Sequence, residues 1–206
     1  MQSERVRRKR GRRVQEILET AAELFGERGF DAVSLDDVAE ALDVTKGSLY
    51  YYFAGKDELA TAAIETLGRD WTARLETLLA KTPGTSTERL RALIHAHVTI
   101  AVRDYPAALR LFLAPHEWPR AQYERVKALR QRHDRLFRTL VEEGVASGEF
   151  RVTSVATVLQ CMHAAMSQAP LWRTRPGELA DTLMMLVGVG ASTLDACPHQ
   201  TGSSRT

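Results

Sequence analysis

Cysteine is scarce in this chain, and no stretch is apolar enough to cross a membrane. Cys161 and Cys197 are the only cysteines and have no CxxC or metal-ligand spacing, so we expect no disulfide framework. The basic N-terminus lacks the apolar segment of a signal peptide, which predicts a cytoplasmic protein. No phosphate-binding glycine loop is present, and no histidine has a carboxylate or nucleophile at catalytic spacing. These absences argue against an enzyme, a cofactor and a metal.

Apolar residues are plentiful and recur at helical spacing through most of the chain. A chain of 206 residues with 44% apolar residues can bury a large core. The spacing predicts an all-α fold of about nine helices. Three of them fall within residues 11–55. The others are a long helix from Lys56 to the turn at 82–87, then 87–103, a short helix at 107–114, a long helix ending at Gly148, 153–169 and 178–196.

Residues 34–56 carry the most specific pattern in the sequence. Ser34 and Asp37 form an N-terminal cap pair for a short helix, and Asp43 is a residue that tolerates the turn expected to end it. Thr45 is a second cap residue, so another short helix begins immediately. The pattern predicts a helix-turn-helix.

The second of these helices carries the residues expected to meet DNA. It opens with Lys46, Gly47 and Ser48, which are small or polar enough to approach base edges in the major groove. The tyrosines at 50–52 cannot all be buried on one side of a helix, so at least one can contact a phosphate. Lys56 adds a charge beside the backbone amides of the next helix. An αα-hairpin with a surface aromatic cluster is the alternative.

Seven basic residues are crowded into positions 5–13, although the net charge of the whole chain is only +2. Such a segment can follow the phosphate backbone or lie in the minor groove. We expect residues 1–10 to form a disordered basic arm that contacts DNA, with a solvated tail as the alternative. The predicted DNA-binding residues are Arg12, Arg13, Ser34, Thr45, Lys46, Gly47, Ser48, Tyr50, Tyr51, Tyr52 and Lys56.

Residues 44–56 resemble the DNA-binding domain of the TetR/AcrR family of transcriptional regulators. The family pattern is a leucine or valine, Thr, a short turn, Leu-Tyr-hydrophobic-His/Tyr-Phe and a nearby Lys, and residues 44–45, 49–53 and 56 follow it. Asp43 stands where the family usually has glycine. Leu35 and Asp36 replace a frequent threonine or arginine, so we transfer no base contact to them.

The resemblance implies two domains. Residues 11–55 would form the helix-turn-helix domain, and residues 56–197 would form a helical ligand-binding and dimerisation domain. The tail at 198–206 is expected to be disordered.

The last two predicted helices are apolar nearly all round, which requires cover from the protein's own core and from a partner. We therefore expect a homodimer, and four-helix interfaces are common in the TetR family. Gly188 and Gly190 cost helix stability, and close helix approach would explain them. A fully buried core helix is the alternative. The predicted interface residues are Val155, Leu159, Met162, Met166, Leu183, Met184, Val187 and Gly190.

Three histidines fall on predicted apolar stripes of the larger domain. An apolar cavity with a few convergent polar groups is typical of a small-molecule site, although each histidine alone could be a satisfied core residue. His95 and His97 point in different directions on their helix, so a metal site is not expected. The predicted ligand-binding residues are His97, Arg103, Phe112, Trp118, His133, Phe137, Met162, His163, Met166 and Trp172.

By resemblance, the chain is a repressor that binds a palindromic operator in double-stranded DNA as a dimer and releases it when a small hydrophobic effector binds. Trp118, residues 144–150 and Trp172 look similar to family members that control fatty-acid or sterol breakdown. That similarity implies an acyl-CoA-like effector, with basic residues near its charge, such as Arg103, Arg125 or Arg132. A ligand-dependent activator, a corepressor-type regulator, an all-α ligand carrier or enzyme, and an architectural DNA protein are the alternatives.

Overall fold

A computed structural model describes residues 2–104, 119–172 and 174–188, and the predicted all-α class is confirmed. A 3₁₀ turn, Met185–Val187, follows the last helix of this part. The predicted helix at 107–114 and the tail at 198–206 lie outside the described residues. Among the described residues, no helix is long and apolar enough to span a membrane. The α-helices are α1 (Gln2–Arg28), α2 (Leu35–Ala41), α3 (Lys46–Tyr50), α4 (Lys56–Lys81), α5 (Ser86–Arg103), α6 (Arg120–Ser147), α7 (Val155–Trp172) and α8 (Pro176–Met184).

The start of α1 differs from the expectation. The arm at 1–10, predicted to be disordered, is helical from Gln2 onward and continuous with the first helix. Arginine, lysine, glutamine and glutamate favour helix, and no proline interrupts the segment. Gly11 is exposed, so its lack of a side chain costs no packing. The helix ends where the sequence predicts, because Gly29 adopts a φ of 91° directly after Arg28.

A first hydrophobic core joins α1, α2 and α3 to the first half of α4. Ile17, Ala21 and Phe25 of α1 are almost completely buried in it. Val126 and Leu129 of α6 belong to the same core although they lie far along the chain. The first core is therefore closed by a helix of the larger domain.

A second core fills the larger domain, with α5 packed against α4, α6, α7 and α8. A capping box fixes the start of α5: the Glu88 amide donates to Thr85 Oγ1 at 3.2 Å, and the Thr85 amide donates to Glu88 Oε2 at 2.9 Å. Gly148, with a φ of 80°, ends α6 as predicted. Since α4 and α6 both run through the two cores, a shift in one core can reach the other through these helices.

The predicted dimer-interface residues lie inside the protomer. Leu159, Met162, Met166, Leu183, Met184 and Val187 belong to the second core and are at most 4% exposed, while Val155 packs against that core. The protomer's own α5 and α6 thus cover the six buried residues, which corrects their assignment to the interface. Val155 is only half-buried and remains a predicted interface residue. Gly190 lies outside the described residues.

The last helix is shorter than the predicted 178–196. It ends at Met184, and after the 3₁₀ turn Gly188 adopts a φ of 52°. A Cβ at Gly188 would lie 3.0 Å from the Arg151 carbonyl oxygen. The Arg151 amide donates to the carbonyl oxygens of Val187 and Gly188. A left-handed turn against Arg151 therefore explains this glycine, not the helix packing across an interface that the sequence suggested.

Candidate nucleic-acid interface and histidine layer

The helix-turn-helix forms as the sequence predicts. The Asp37 amide donates to Ser34 Oγ at 3.1 Å, and the Ser34 amide donates to Asp37 Oδ2 at 2.6 Å, which completes the capping box of α2. The Ser34 hydroxyl also donates to Asp37 Oδ2, and this hydrogen bond, together with that from the Ser34 amide, lowers the pKa of the Asp37 carboxyl. Asp43, in the turn after the helix, has a φ of 50°. The Val44 amide then donates to the Ala39 carbonyl oxygen at 2.9 Å and turns the chain into α3.

Helix α3 presents its N-terminal residues to solvent and is anchored by its apolar ones. Leu49 is fully buried and Phe53, just after the helix, is 7% exposed. The sequence argument required at least one of the three consecutive tyrosines to be exposed, and Tyr50 and Tyr51 both are. The residues at 45–48 are all exposed as well. A short helix with a buried aliphatic anchor and an open polar start has the form needed to enter a major groove.

Thr45 occupies the cap position of α3, but its side chain makes no capping hydrogen bond to the helix backbone. Thr45 Oγ1 lies 3.0 Å from Ser48 Oγ instead. The two hydroxyls therefore form a polar pair on the exposed start of α3.

A basic groove runs between the start of α1 and the tyrosines that follow the exposed start of α3. The Arg10 guanidinium lies 5.4 Å from the centroid of the Tyr51 ring and 5.8 Å from that of Tyr52, within the range of cation–π contact. The helical form of the arm thus brings it against the aromatic residues. The residues lining this groove are Arg5, Val6, Arg8, Lys9, Arg10, Arg12, Arg13, Glu16, Tyr51 and Tyr52.

Lys56 lies in a separate environment at the start of α4. Its ammonium is 4.3 Å from the centroid of the Phe30 ring and 3.4 Å from the Asp31 carbonyl oxygen. The charge is thereby fixed beside the first turn of α4, whose first intrahelical bond runs from the Leu59 amide to the Gly55 carbonyl. A fixed cation next to a helix N-terminus favours contact with an anion.

Asp36 is the residue of this face that the sequence analysis left without a role. Its carboxylate forms an ion pair with the Lys46 ammonium and so links α2 to the start of α3. This hydrogen bond raises the pKa of Lys46. The contact joins residues ten positions apart across the turn, and helical periodicity does not reveal such contacts.

A histidine layer lies inside the larger domain, formed by Trp71, His97, His133, Phe137 and His163. The ring centroids of His97 and His133 are 5.0 Å apart, and those of His133 and His163 are 5.8 Å apart. Trp71 of α4 stacks on His97 at 4.8 Å. The three histidines predicted to converge do so, one each from α5, α6 and α7. Trp71 was recognised in the sequence only as an apolar position.

Burial keeps these imidazoles neutral. Desolvation is the main cause that lowers the pKa of all three, to about 4 for His133 and well below the usual 6.5 for His97. Repulsion between the imidazoles adds to the shift for His97 and His133. His163 Nε2 lies 3.3 Å from Asp134 Oδ1. Within the described part of the chain, His97 Nδ1 and His133 Nε2 are buried and have no hydrogen-bond partner.

The remaining predicted ligand residues fall into three groups. Met162 and Met166 are fully buried in the same core as the histidine layer. Arg103 and Trp172 are exposed, which places them away from this buried layer. Phe112 and Trp118 lie outside the described residues.

Two arginines suggested as partners for an effector charge are bound to carboxylates. Arg125 donates to Glu65 at 2.9 and 2.6 Å and to Glu58 at 3.0 and 2.8 Å, so that it clamps α6 to the first half of α4. Arg132 donates to Glu76 at 3.1 and 2.9 Å. Both guanidinium groups therefore stabilise the contact between helices. No group of three potential metal ligands occurs among the residues that the structure describes.

These features define a helix-turn-helix DNA-binding protein with a larger helical domain and a buried polar layer. The model of bacterial regulatory proteins of the tetR family matches residues 17–63, and that of the tetracyclin repressor-like C-terminal domain matches residues 83–185. The chain belongs to the TetR family of transcriptional regulators, whose members are not enzymes.

Relatives with sequence or structural similarity support this assignment. The HTH-type transcriptional repressor KstR2 of Rhodococcus jostii is 31% identical over 157 residues, which cover 69% of this chain and 70% of that protein. The TetR family transcriptional regulator PfmR from Thermus thermophilus is 29% identical, with a TM-score of 0.74 over 85% of this chain and 95% of PfmR. AibR, solved with isovaleryl coenzyme A and operator DNA, shares the fold: the TM-score is 0.73 at 22% identity, over 86% of this chain and 99% of AibR.

Proposed function

We propose that this protein is a dimeric transcriptional repressor that binds a palindromic operator and releases it when a small hydrophobic, acyl-CoA-like effector binds. The observation that carries the proposal is the exposed polar start of α3 beside the basic groove. Base readout and phosphate contact need these two surfaces next to each other. Relatives of this chain such as KstR2 are transcriptional repressors, which supports repression as opposed to activation.

The two parts of the interface have different tasks. Helix α3 enters the major groove, where Lys46, Gly47 and Ser48 face base edges and Tyr50 contacts the backbone. The basic groove follows the phosphates and supplies affinity that does not depend on sequence. A two-fold dimer presents both copies of α3 to successive turns of one face of the DNA, which is why the operator is expected to be palindromic.

The dimer is proposed to form through the exposed sides of α7 and α8. Cys161, Ala164 and Leu171 are exposed at helical spacing along α7, and Leu171 is 62% exposed. Met185 and Leu186, just after α8, are also exposed large apolar residues, at 79% and 42%. A partner that covers such residues removes apolar surface from water.

Sedimentation velocity tests this interface with one substitution in it and one away from it. Leu171→Glu places a charge in the proposed interface, so we expect a monomer at micromolar concentration. Tyr123→Glu, at an exposed aromatic residue of α6, is expected to leave the dimer intact. A wild-type protein that sediments as a monomer would contradict the dimer.

The effector is proposed to reach the histidine layer. Neutral imidazoles offer both donors and acceptors to an uncharged polar group such as a thioester carbonyl, while Trp71 and Phe137 favour an apolar chain. No described residue forms a hydrogen bond with His97 Nδ1 or His133 Nε2, so these buried atoms are suited to such a group. AibR binds an acyl-CoA in a protein of the same fold, which supports this class of effector.

The two helices that run through both cores give the effector a route to the DNA. Trp71 and His133 lie in the histidine layer on α4 and α6. Closer to the N-terminal ends of the same two helices, Arg125 joins α6 to α4 through its ion pairs with Glu58 and Glu65. In the same part of α6, Val126 and Leu129 enter the first core. A ligand that moves α6 relative to α4 therefore changes the position of the helix-turn-helix.

Replacement of His133 by phenylalanine tests the effector site. The change keeps a ring of similar size but removes the buried Nε2, which has no hydrogen-bond partner among the described residues, so we expect unchanged or increased thermal stability. We also expect release of operator DNA by acyl-CoA thioesters to require about tenfold more ligand, because a tenfold change corresponds to the loss of one good hydrogen bond. His95→Phe, at an exposed position of α5, is the control and should leave both properties unchanged.

Melting and gel-shift assays with acyl-CoA thioesters, and with free coenzyme A as a reference, decide the outcome. Thioesters that neither raise the melting temperature nor release DNA would exclude this class of effector. Thioesters that strengthen DNA binding would identify a corepressor-type regulator instead.

A further inference from the structure

We propose that Asp36 is a specificity-determining residue of the DNA interface, which positions the Lys46 ammonium and weakens binding to DNA of unrelated sequence. The inference rests on the proposed function, because it assumes that α3 is the helix that reads the operator.

The geometry places Asp36 on the DNA-facing side. Lys46 is the first residue of α3, and its ammonium is bound to a carboxylate oxygen of Asp36 in the first turn of α2. The side chains remain 48% and 62% exposed, so the pair is open to an approaching duplex. Ser48 and the other residues at the start of α3 are exposed beside it.

The folding of the motif does not depend on this ion pair. Ser34 and Asp37 already cap α2, and Leu35 and Val38 anchor it in the first core. Exposed ion pairs contribute little to stability. In the proposed complex, a carboxylate at this position faces the negatively charged DNA. This repulsion is unfavourable unless a favourable contact offsets it.

Compensation depends on the base sequence. On random DNA, the ion pair withholds the Lys46 charge from the phosphates, and the Asp36 carboxylate repels them. On the operator, Lys46 can donate to a guanine acceptor while Asp36 holds it in place or accepts from a cytosine amino group. Asp36 therefore lowers the affinity for the wrong sequences more than for the right one, which is how repulsive elements create specificity.

Asp36→Asn and its control separate this role from a general charge effect. Asparagine keeps the shape and removes the charge. Glu124→Gln removes a carboxylate of similar exposure, 61%, from an ion pair with Lys127 on α6, away from the proposed dimer interface. Asp36→Glu keeps the charge and is expected to restore the wild-type preference. Each protein is first used to select duplexes from a random pool, and then titrated by fluorescence anisotropy with the selected and random duplexes at several salt concentrations.

For Asp36→Asn we expect random DNA to bind about tenfold more tightly. The ratio of operator affinity to random-DNA affinity should fall about tenfold, which is the discrimination that one base contact typically provides. The dependence of log K on log salt should become steeper by about one, because Lys46 gains a phosphate. Glu124→Gln should change none of these values.

An unchanged affinity ratio in Asp36→Asn would overturn the inference and leave the proposed function intact. A melting temperature lowered far more than that of Glu124→Gln would overturn it too, because Asp36 would then serve folding. A wild-type protein that shows no preference for any duplex would overturn both this inference and the proposed function.

Discussion

The DNA-facing surface and the histidine layer are built in opposite ways. The first collects exposed, mostly polar and basic residues from two short stretches of sequence, 5–16 and 34–56, which neighbouring helices bring together. The second collects buried and half-buried rings from four helices, at positions from Trp71 to His163. Charge is exposed and usable in the first, whereas burial suppresses it in the second. A substitution in the surface should therefore change DNA binding, and one in the layer should change the pH dependence of stability and the response to ligand.

Neutralising the basic groove should have the largest effect. The triple substitution of Arg5, Arg8 and Arg12 by glutamine keeps helix-forming residues but removes three positive charges. We expect affinity for operator and random DNA alike to fall on the order of 100-fold at physiological salt, and the salt dependence of log K to flatten by about three. Fluorescence anisotropy across a salt series measures both.

The matched control replaces three exposed arginines of the larger domain by glutamine: Arg91, Arg151 and Arg175. This triple variant has the same net charge and should bind DNA like the wild type. Equal losses in the two triple variants would mean that total charge matters, and that the groove has no special role.

The histidine layer should make stability depend on pH. The folded-state pKa of His133 is lowered from 6.5 to about 4, so between these values the unfolded chain binds more protons than the folded one. The free energy of unfolding should therefore fall as pH drops from about 7 to about 4, by about 3 kcal/mol from His133 alone. Urea unfolding at a series of pH values tests this, and the curve for His133→Phe should be flatter. Equal slopes would contradict neutral burial of His133.

Loss of the ion pairs of Arg125, which join α6 to α4 between the two regions, should have a smaller effect on stability. Arg125→Gln leaves Glu58 and Glu65 without their partner, and because the group is partly exposed we expect a loss of about 1–2 kcal/mol in the free energy of unfolding. Arg132→Gln, which breaks a more exposed contact with Glu76, should cost less than about 1 kcal/mol. Chemical denaturation at neutral pH compares the two. If Arg132→Gln cost as much, the clamp would be no more important than an ordinary surface pair.

Much of the helix-turn-helix could be predicted because its determinants are local. The capping box of Ser34 and Asp37 spans three residues, and Asp43 adopts the turn conformation its side chain tolerates. That at least one of the three consecutive tyrosines is exposed follows from helical geometry alone. Each of these features is decided within one or two helical turns, where sequence patterns are informative.

Long-range packing explains what the sequence analysis missed. Met162 and Val187 lie on apolar arcs that suggested an interface, but the protomer's own helices cover them. The Arg125 clamp joins residues about 60 positions apart, and no periodicity reveals such a pair. The arm was expected to be disordered because of its charge, yet its residues favour helix and continue α1.

The central claim is that the exposed start of α3 reads a specific operator and that the basic groove only adds affinity. The most direct test is a fluorescence anisotropy titration of the wild-type protein with its own upstream DNA, against random DNA as competitor, at rising salt. We predict that a palindromic duplex stays bound at physiological salt after random DNA has dissociated. Equal binding to both duplexes, lost together at moderate salt, would mean that the basic groove acts alone and would contradict the claim.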